Sequence, residues 1–242
     1  MKLNTNNYKY KELLKWYRKA VNQPAKKVVI DHISEIKKII PGKHVLFIGL
    51  SEFRKKFESS KYVSFIAIDE FVSSDNITEA KKLPFEDNSH DVIIIIHALD
   101  YTENPYELVR EIDRIGTDDV KISIVGFNKF SLWGAMKPMM NKTATPWLLN
   151  FHSLYSVKEW FKLLGYQSLY KDTSFFLPII SKNITKYLSK MVLLQKFIGS
   201  NLGGIYFLVF NKNVIPLTPV KLKFKGKYLV TTFPKSSMNK IR

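Results

Sequence analysis

The residues able to do chemistry fall at four places along the chain. "HVLFIGLSEF" (44–53) runs an apolar segment into Gly49 and then into Leu50, Ser51, Glu52 and Phe53. A strand entering a glycine turn is the opening of a nucleotide-binding unit, where backbone can approach a ligand closely. "VSFIAIDE" (63–70) ends on Asp69 and Glu70. A carboxylate at Asp69 can accept hydrogen bonds from both hydroxyls of a ribose, or it can serve only as a turn residue. "DVIIIIHALDY" (91–101) carries His97, Asp100 and Tyr101 behind an apolar run. His97 either lines a pocket with a satisfied imidazole or acts as a general base. "GFNKFSLWG" (126–134) brings Phe127 and Trp133 together, which with Tyr101 wall an apolar small molecule or fill a core.

Other chemistries fit poorly. The histidines at 32, 44, 90, 97 and 152 show no metal-ligand spacing, so no metal site is expected. There is no G-x-S-x-G, no G-x-x-x-x-G-K and no G-x-G-x-x-G. The chain has no cysteine, which excludes disulfides, thiolate nucleophiles and thiolate-bound metals together. His152 and Asp113 have no partner identifiable from the sequence.

The elements that must position these residues alternate. Residues 8–40 have helical spacing: Tyr10, Leu13, Leu14, Tyr17 and Val21 share a face, and Pro24 breaks the run. Strands are expected at 44–49, 63–69 and 91–98, the last apolar throughout as for a parallel strand covered on both faces. A helix follows, with Asn104 as cap, Pro105 in its first turn, Glu107 as the capping-box acid, and Leu108, Ile112 and Ile115 on one face. "VKISIVGF" (120–127) is the next strand. "SVKEWFKLLGY" is the next helix, with Ser156 as cap, Trp160, Leu163 and Leu164 inward and Gly165 as its stop. "GGIYFLVFNKN" (203–213) is a late strand. Strands alternating with helices predict an open, mostly parallel sheet, with ligands outside the carboxyl ends of its strands. Those ends are where the residues above lie.

At 242 residues and 45% apolar, the chain has room for one large α/β domain with a full core. The expected divisions are an N-terminal helical cap (1–40), the α/β domain (41–220) and a basic tail (221–242). Within the domain, 128–155 reads as a lid or substrate wall and 181–198 as an inserted amphipathic helix. No apolar stretch follows the first charges, and none reaches the roughly 18–20 residues that cross a bilayer. A soluble, cytoplasmic protein without a transmembrane segment is expected. The net charge of +17 admits an anionic partner such as RNA. Scattered lysines, dense only in "KLKFKGK", do not favour that partner.

The run "LPFEDNSHDVIIIIHALDYTENPYELVREIDRI" (83–115) resembles the class I S-adenosylmethionine-dependent methyltransferases, in particular the type-11 branch that includes quinone-biosynthesis enzymes. It matches that branch's Leu-Pro-Phe, acidic turn, Asp-Val, strand, and helix with an acidic-then-Arg ending. "GFNKFSLWG" and "GGIYFLVFNKNVIPLTP" are similar to segments of a small bacterial subgroup. The resemblance spans roughly residues 40–220. It implies a Rossmann-like fold with a mostly parallel seven-stranded sheet, S-adenosyl-L-methionine as cofactor, and a small, partly apolar acceptor. Cofactor contacts are implied at Gly49, Leu50, Asp69, Glu70, Glu79, Ala80 and His97. Asp69 would hold the ribose, Glu79 the adenine amino group and the Ala80 N–H the ring. Acceptor contacts are implied at Tyr101, Phe127, Asn128 and Trp133. No catalytic residue is assigned outright, with His97 the candidate base.

The glycine turn departs from that pattern. Phe47 stands where the family has an acid, and Ser51 and Phe53 stand where it has further glycines. Loss of the acid removes a charge-assisted hydrogen bond of about 1.5–3 kcal/mol. A non-glycine residue at positive φ adds about 1–2 kcal/mol. Together these weaken cofactor binding by about a hundredfold to a few thousandfold. Glu52 offers a substitute carboxylate. The alternatives to a working methyltransferase are a catalytically inactive scaffold on the same sheet and an RNA-binding or RNA-modifying protein.

Overall fold

The computed structural model describes residues 5–39, 44–50, 53, 62–66, 83–175 and 201–212. Its strands are β1 (His44–Gly49), β2 (Tyr62–Ile66), β3 (His90–Ile96), β4 (Gly116–Phe127), β5 (Tyr166–Ser174) and β6 (Ile205–Lys212). They form one six-stranded sheet in the order β2-β1-β3-β4-β6-β5. The pairs β1–β2, β1–β3 and β3–β4 are parallel, and β6 runs antiparallel to both β4 and β5. Ile93 to Ile96 are fully buried, because helices cover both faces of the parallel strands and leave no polar face to write into the sequence. A seventh strand is not seen among the described residues.

The helices are α1 (Thr5–Arg18), α2 (Gln23–Ile39), α3 (Ala98–Tyr101), α4 (Pro105–Ile115), α5 (Leu132–Met136) and α6 (Leu154–Leu163). Two ring contacts to β6 fix their sides. His32 of α2 meets Phe207 with centroids 4.3 Å apart, and Phe161 of α6 stacks on Phe210 at 4.6 Å. Phe207 and Phe210 are three apart on a strand and so face opposite ways. Helices α2 and α6 therefore cover opposite faces of the sheet. α4 shares the α6 side, where Tyr106 meets Trp160 at 4.6 Å. It buries Leu108, Val109, Ile112 and Ile115.

Several expected boundaries and caps shift. Pro24 lies in the first turn of α2; the chain leaves α1 at Arg18 and passes a 3₁₀ turn at Ala20–Asn22. Val21 falls in that turn and is exposed. β3 ends at Ile96, so His97 and Ala98 leave the strand. Asn104 holds the N-cap position of α4 without a side-chain cap bond. Ser153, three residues before Ser156, caps α6, its Oγ accepting from the Ser156 N–H at 2.9 Å. Helix α6 buries Val157 and Phe161, while Leu163 points out and is 83% exposed. Strand β5 was not expected; "YQSLYKDTS" is polar and half exposed, as an edge strand can be, and carries little periodic signal. The segment 128–155 holds α5, a 3₁₀ turn at Lys137–Met139 and buried Trp147, Leu149 and Phe151. The expected inserted helix (181–198) and basic tail (221–242) lie outside the described residues.

Candidate active site

His97 sits at the carboxyl end of β3, where the chain turns from strand into α3. Its backbone is left-handed, with φ 55° and ψ 8°. That conformation costs a non-glycine residue about 1–2 kcal/mol. Two backbone bonds hold it: the His97 N–H donates to Val125 at 2.8 Å, and the Asp100 N–H donates to the His97 carbonyl at 3.0 Å. The turn brings the Asp100 carboxylate to Nδ1 of His97 at 2.7 Å. The same carboxylate oxygen accepts the Phe127 N–H at 2.9 Å, which ties the pair to the end of β4. A carboxylate accepting at Nδ1 places the imidazole proton there and leaves the Nε2 lone pair free to accept. Both side chains are fully buried.

Nε2 is taken by the chain itself. The Tyr17 hydroxyl from α1 lies 2.6 Å from it. Burial, then the Asp100 charge, pushes the Tyr17 hydroxyl well above its ordinary pKa, so it stays protonated and donates. Around this point the rings form a continuous wall. Phe127 stacks on His97 at 4.3 Å and on Phe151 at 5.2 Å, and Trp133 lies parallel to it at 5.9 Å. Trp16, beside Tyr17, meets Phe127 edge-on at 5.9 Å. Helix α1 thus lies across the carboxyl ends of β3 and β4 and inserts Trp16 and Tyr17 between them.

The other residues marked in the sequence take varied places. Tyr101 is buried against Tyr10 of α1, edge to face at 5.8 Å. Trp133 covers Gly204 so closely that a Cβ there would lie 2.6 Å from its ring. Asn128 is buried and spent on the backbone: Nδ2 donates to Asn201 and Gly203, and Oδ1 accepts from Phe130. It pins the end of β4 to the start of β6 and has no amide N–H left for an acceptor. His152 and Asp113 do have partners. His152 Nε2 lies 3.0 Å from the Leu99 carbonyl, and Asp113 accepts from Tyr166 and pairs with Lys212.

At the glycine turn, Gly49 has φ 121°, and a Cβ there would come within 2.2 Å of the Ile96 carbonyl oxygen. Glycine is required because β1 and β3 end side by side. Leu50 and Phe53 are buried, and the Phe53 N–H donates to Leu50 at 3.2 Å in a tight turn. The Phe53 ring meets Tyr17 edge-on at 5.2 Å. Phe47 is fully buried in the sheet. Ser51, Glu52, Asp69, Glu70, Glu79 and Ala80 lie outside the described residues.

The acidic-then-Arg ending of α4 has a structural task. Arg114 donates to the carbonyls of Leu83 at 3.0 Å and Phe85 at 2.9 Å, and pairs with Asp87 and Glu111. Glu111 in turn accepts the Leu83 N–H at 2.8 Å. The clamp holds "LPFED" in front of β3.

Residues 54–124 match the family model described as a methyltransferase domain, a stretch that contains His97, Asp100 and the Arg114 clamp. That stretch, 71 of the 242 residues, is similar to the type-11 methyltransferase family. The fold agrees. A chain of the Haloferax volcanii complex between the Trm112 methyltransferase activator and a methyltransferase superposes with a TM-score of 0.54 at 13% identity, covering 88% of this chain and 100% of that one. The [4+2]-cyclase SpnF superposes with a TM-score of 0.50 at 16% identity, over 79% of this chain and 82% of that one. In sequence, the chain is 33% identical over 138 residues to YafS, an uncharacterized protein of Escherichia coli (strain K12), covering 56% of this chain and 54% of YafS. It is 31% identical over 125 residues to the uncharacterized protein MJ0638 of Methanocaldococcus jannaschii, over 51% and 52% of the two chains. The chain thus spans about half the length of the curated relatives it matches.

S-adenosyl-L-methionine is the cofactor that a methyltransferase domain of this family implies. The described residues fit it at the turn, where Gly49 keeps the backbone conformation that only glycine adopts easily. They supply no carboxylate at the end of β1, where buried Phe47 replaces the acid.

Sequence reasoning missed Trp16 and the partner of Tyr17. The signal available was the adjacent pair Trp16-Tyr17, which widens the apolar stripe of α1 beyond what one packing face requires. It also missed Lys137, half-buried over the Phe151 ring at 4.9 Å and donating to the Leu149 carbonyl. Burial lowers its pKa.

Proposed function

We propose that the chain is an S-adenosylmethionine-dependent methyltransferase acting on a small, partly apolar acceptor, with His97 as general base. The observation that carries the reading is the His97–Asp100 pair, 2.7 Å apart and walled by Phe127 and Trp133 at the carboxyl end of β3. When bound, the cofactor supplies a methyl group already activated on a positively charged sulfur, so alignment contributes most of the acceleration. Gly49 and Leu50 hold it at the turn. Asp69 would take the ribose hydroxyls, Glu79 the adenine amino group and the Ala80 N–H the ring, with Glu70 a further cofactor contact. His97 receives the acceptor's proton at Nε2 as the acceptor atom takes the methyl, and Asp100 stabilises the imidazolium that forms. The aromatic wall excludes water.

The test is a calorimetric titration of the full chain with S-adenosylhomocysteine. Binding is expected, and Asp69→Ala is expected to weaken it at least tenfold, about the contribution of hydrogen bonds to a charged carboxylate. Absence of heat at millimolar ligand, with the protein folded, overturns the reading.

A second reading, a cofactor-free scaffold, is favoured by the packing of Leu50, Phe53 and Tyr17 against the ends of β1 and β3. Turnover on any acceptor disposes of it.

A further inference from the structure

We infer that the acceptor is a phenol and that Tyr17 is its built-in surrogate, held on His97 by helix α1 until that helix lifts. The inference rests on the methyl-transfer reading above and names the acceptor class for that same site. With Asp100 on Nδ1, the only lone pair His97 has left is Nε2, and the Tyr17 hydroxyl occupies it at 2.6 Å. A base whose lone pair already accepts from a buried hydroxyl cannot take a proton from anything else. An acceptor must therefore replace the hydroxyl of Tyr17, and the place it enters is already shaped around a phenol. The Tyr17 ring is fully buried, with the Phe53 ring edge-on at 5.2 Å and the His97 imidazole at 5.6 Å.

Helix α1 is built to hold this plug and to pivot. Its carboxyl end is tied down at the two residues that fill the site: Asn22 Nδ2 donates to the Trp16 carbonyl at 2.8 Å, and Gln23 Nε2 donates to the Tyr17 carbonyl at 3.0 Å. Asn22 ends the 3₁₀ turn Ala20–Asn22 and Gln23 opens α2, so both donors sit where the two helices join. Ring contacts add to the grip, Trp16 on Phe127 and on Trp133 at 6.2 Å and Tyr10 on Tyr101, and Leu13 is fully buried beside them. A phenol that offers Nε2 the same hydroxyl and Phe127 the same apolar face competes with Tyr17 for this seat, against the advantage of a tethered ring. The phenolic proton passes to Nε2 as the oxygen takes the methyl, so no free phenolate forms, and Asp100 balances the charge on the imidazole.

The probe is p-cresol, the tyrosine side chain as a free molecule, titrated into the full chain while the His97 imidazole is followed by NMR. Tyr17→Phe keeps the ring and removes the competing hydroxyl, so p-cresol is expected to bind about tenfold more tightly and toluene is not. Trp16→Leu loosens the seat of α1 on Phe127 and is expected to shift p-cresol affinity in the same direction. If both variants leave p-cresol affinity unchanged or weaker, or if p-cresol leaves the His97 resonances in place, the inference is overturned. The measurement needs no turnover. A protein that binds p-cresol at His97 yet transfers no methyl group sinks the methyl-transfer reading and leaves the phenol site standing.

Discussion

Tyr17 and His97, 80 residues apart in sequence, share a hydrogen bond of 2.6 Å in a place where neither side chain reaches solvent. The bond links helix α1 to the turn after β3, and it decides which nitrogen of His97 meets a ligand. Asp100 supplies the other half of that decision from three residues away.

His97→Gln keeps a hydrogen-bonding side chain but removes the base. Turnover is expected to fall by about a hundredfold or more, the ordinary contribution of a positioned general base, with the acceptor KM changed far less. Steady-state kinetics on the folded variant check this, and a residual rate within threefold of the parent removes His97 from the chemistry.

Gly49→Ala tests the glycine turn as structure. The added methyl meets the Ile96 carbonyl, and alanine disfavours φ 121°. A loss of about 2–4 kcal/mol of unfolding free energy is expected from conformational strain plus overpacking. Urea denaturation measures it. A loss below about 1 kcal/mol shows that β1 and β3 can part at this end.

His32, tilted against Phe207 on the α2 face of the sheet, has its pKa lowered by burial to about 4 from the usual 6.5. The unfolded chain binds this proton more readily than the folded one. The contribution to stability is therefore complete above pH 6.5, declines as pH falls toward 4 and is gone below it, about 3 kcal/mol in all. His32→Leu is expected to flatten that part of the stability profile, and chemical denaturation at a series of pH values reads it directly.

Arg114→Ala opens the clamp on residues 83–87. Two carbonyls and the Glu111 carboxylate lose their shared donor, for an expected loss of about 1–3 kcal/mol. Hydrogen exchange at the Leu83 N–H should accelerate, because its acceptor Glu111 is no longer held. Arg114→Lys should restore only part of the loss, since an ammonium cannot reach both carbonyls in a fork.

What could be read locally was read well where one segment carried its own signal. The apolar run before His97 announced a strand buried on both faces, and the spacing of Leu108, Ile112 and Ile115 announced the inner face of α4. Signals spread over alternatives misled: Ser153 and Ser156 both suit a cap, and only the helix start at Leu154 separates them. Strand β5 carries no clear alternation, and its pairing with β6 supplies what its own residues do not. Arg114 and Glu111 were visible as part of a motif, but their task depends on where the chain places residues 83–87.

By itself, the order of residues determined the alternation of strands and helices and the presence of His97 and Asp100 on one short turn. These follow from periodicity, backbone sterics and close sequence spacing, all of which act within a few residues. Only the tertiary structure decided that Tyr17 reaches Nε2, that the Asn128 amide bonds to backbone, and that position 49 must be glycine to clear the Ile96 carbonyl. Those outcomes depend on which distant surfaces meet when α1 docks and the strands align, and no local pattern records such a meeting.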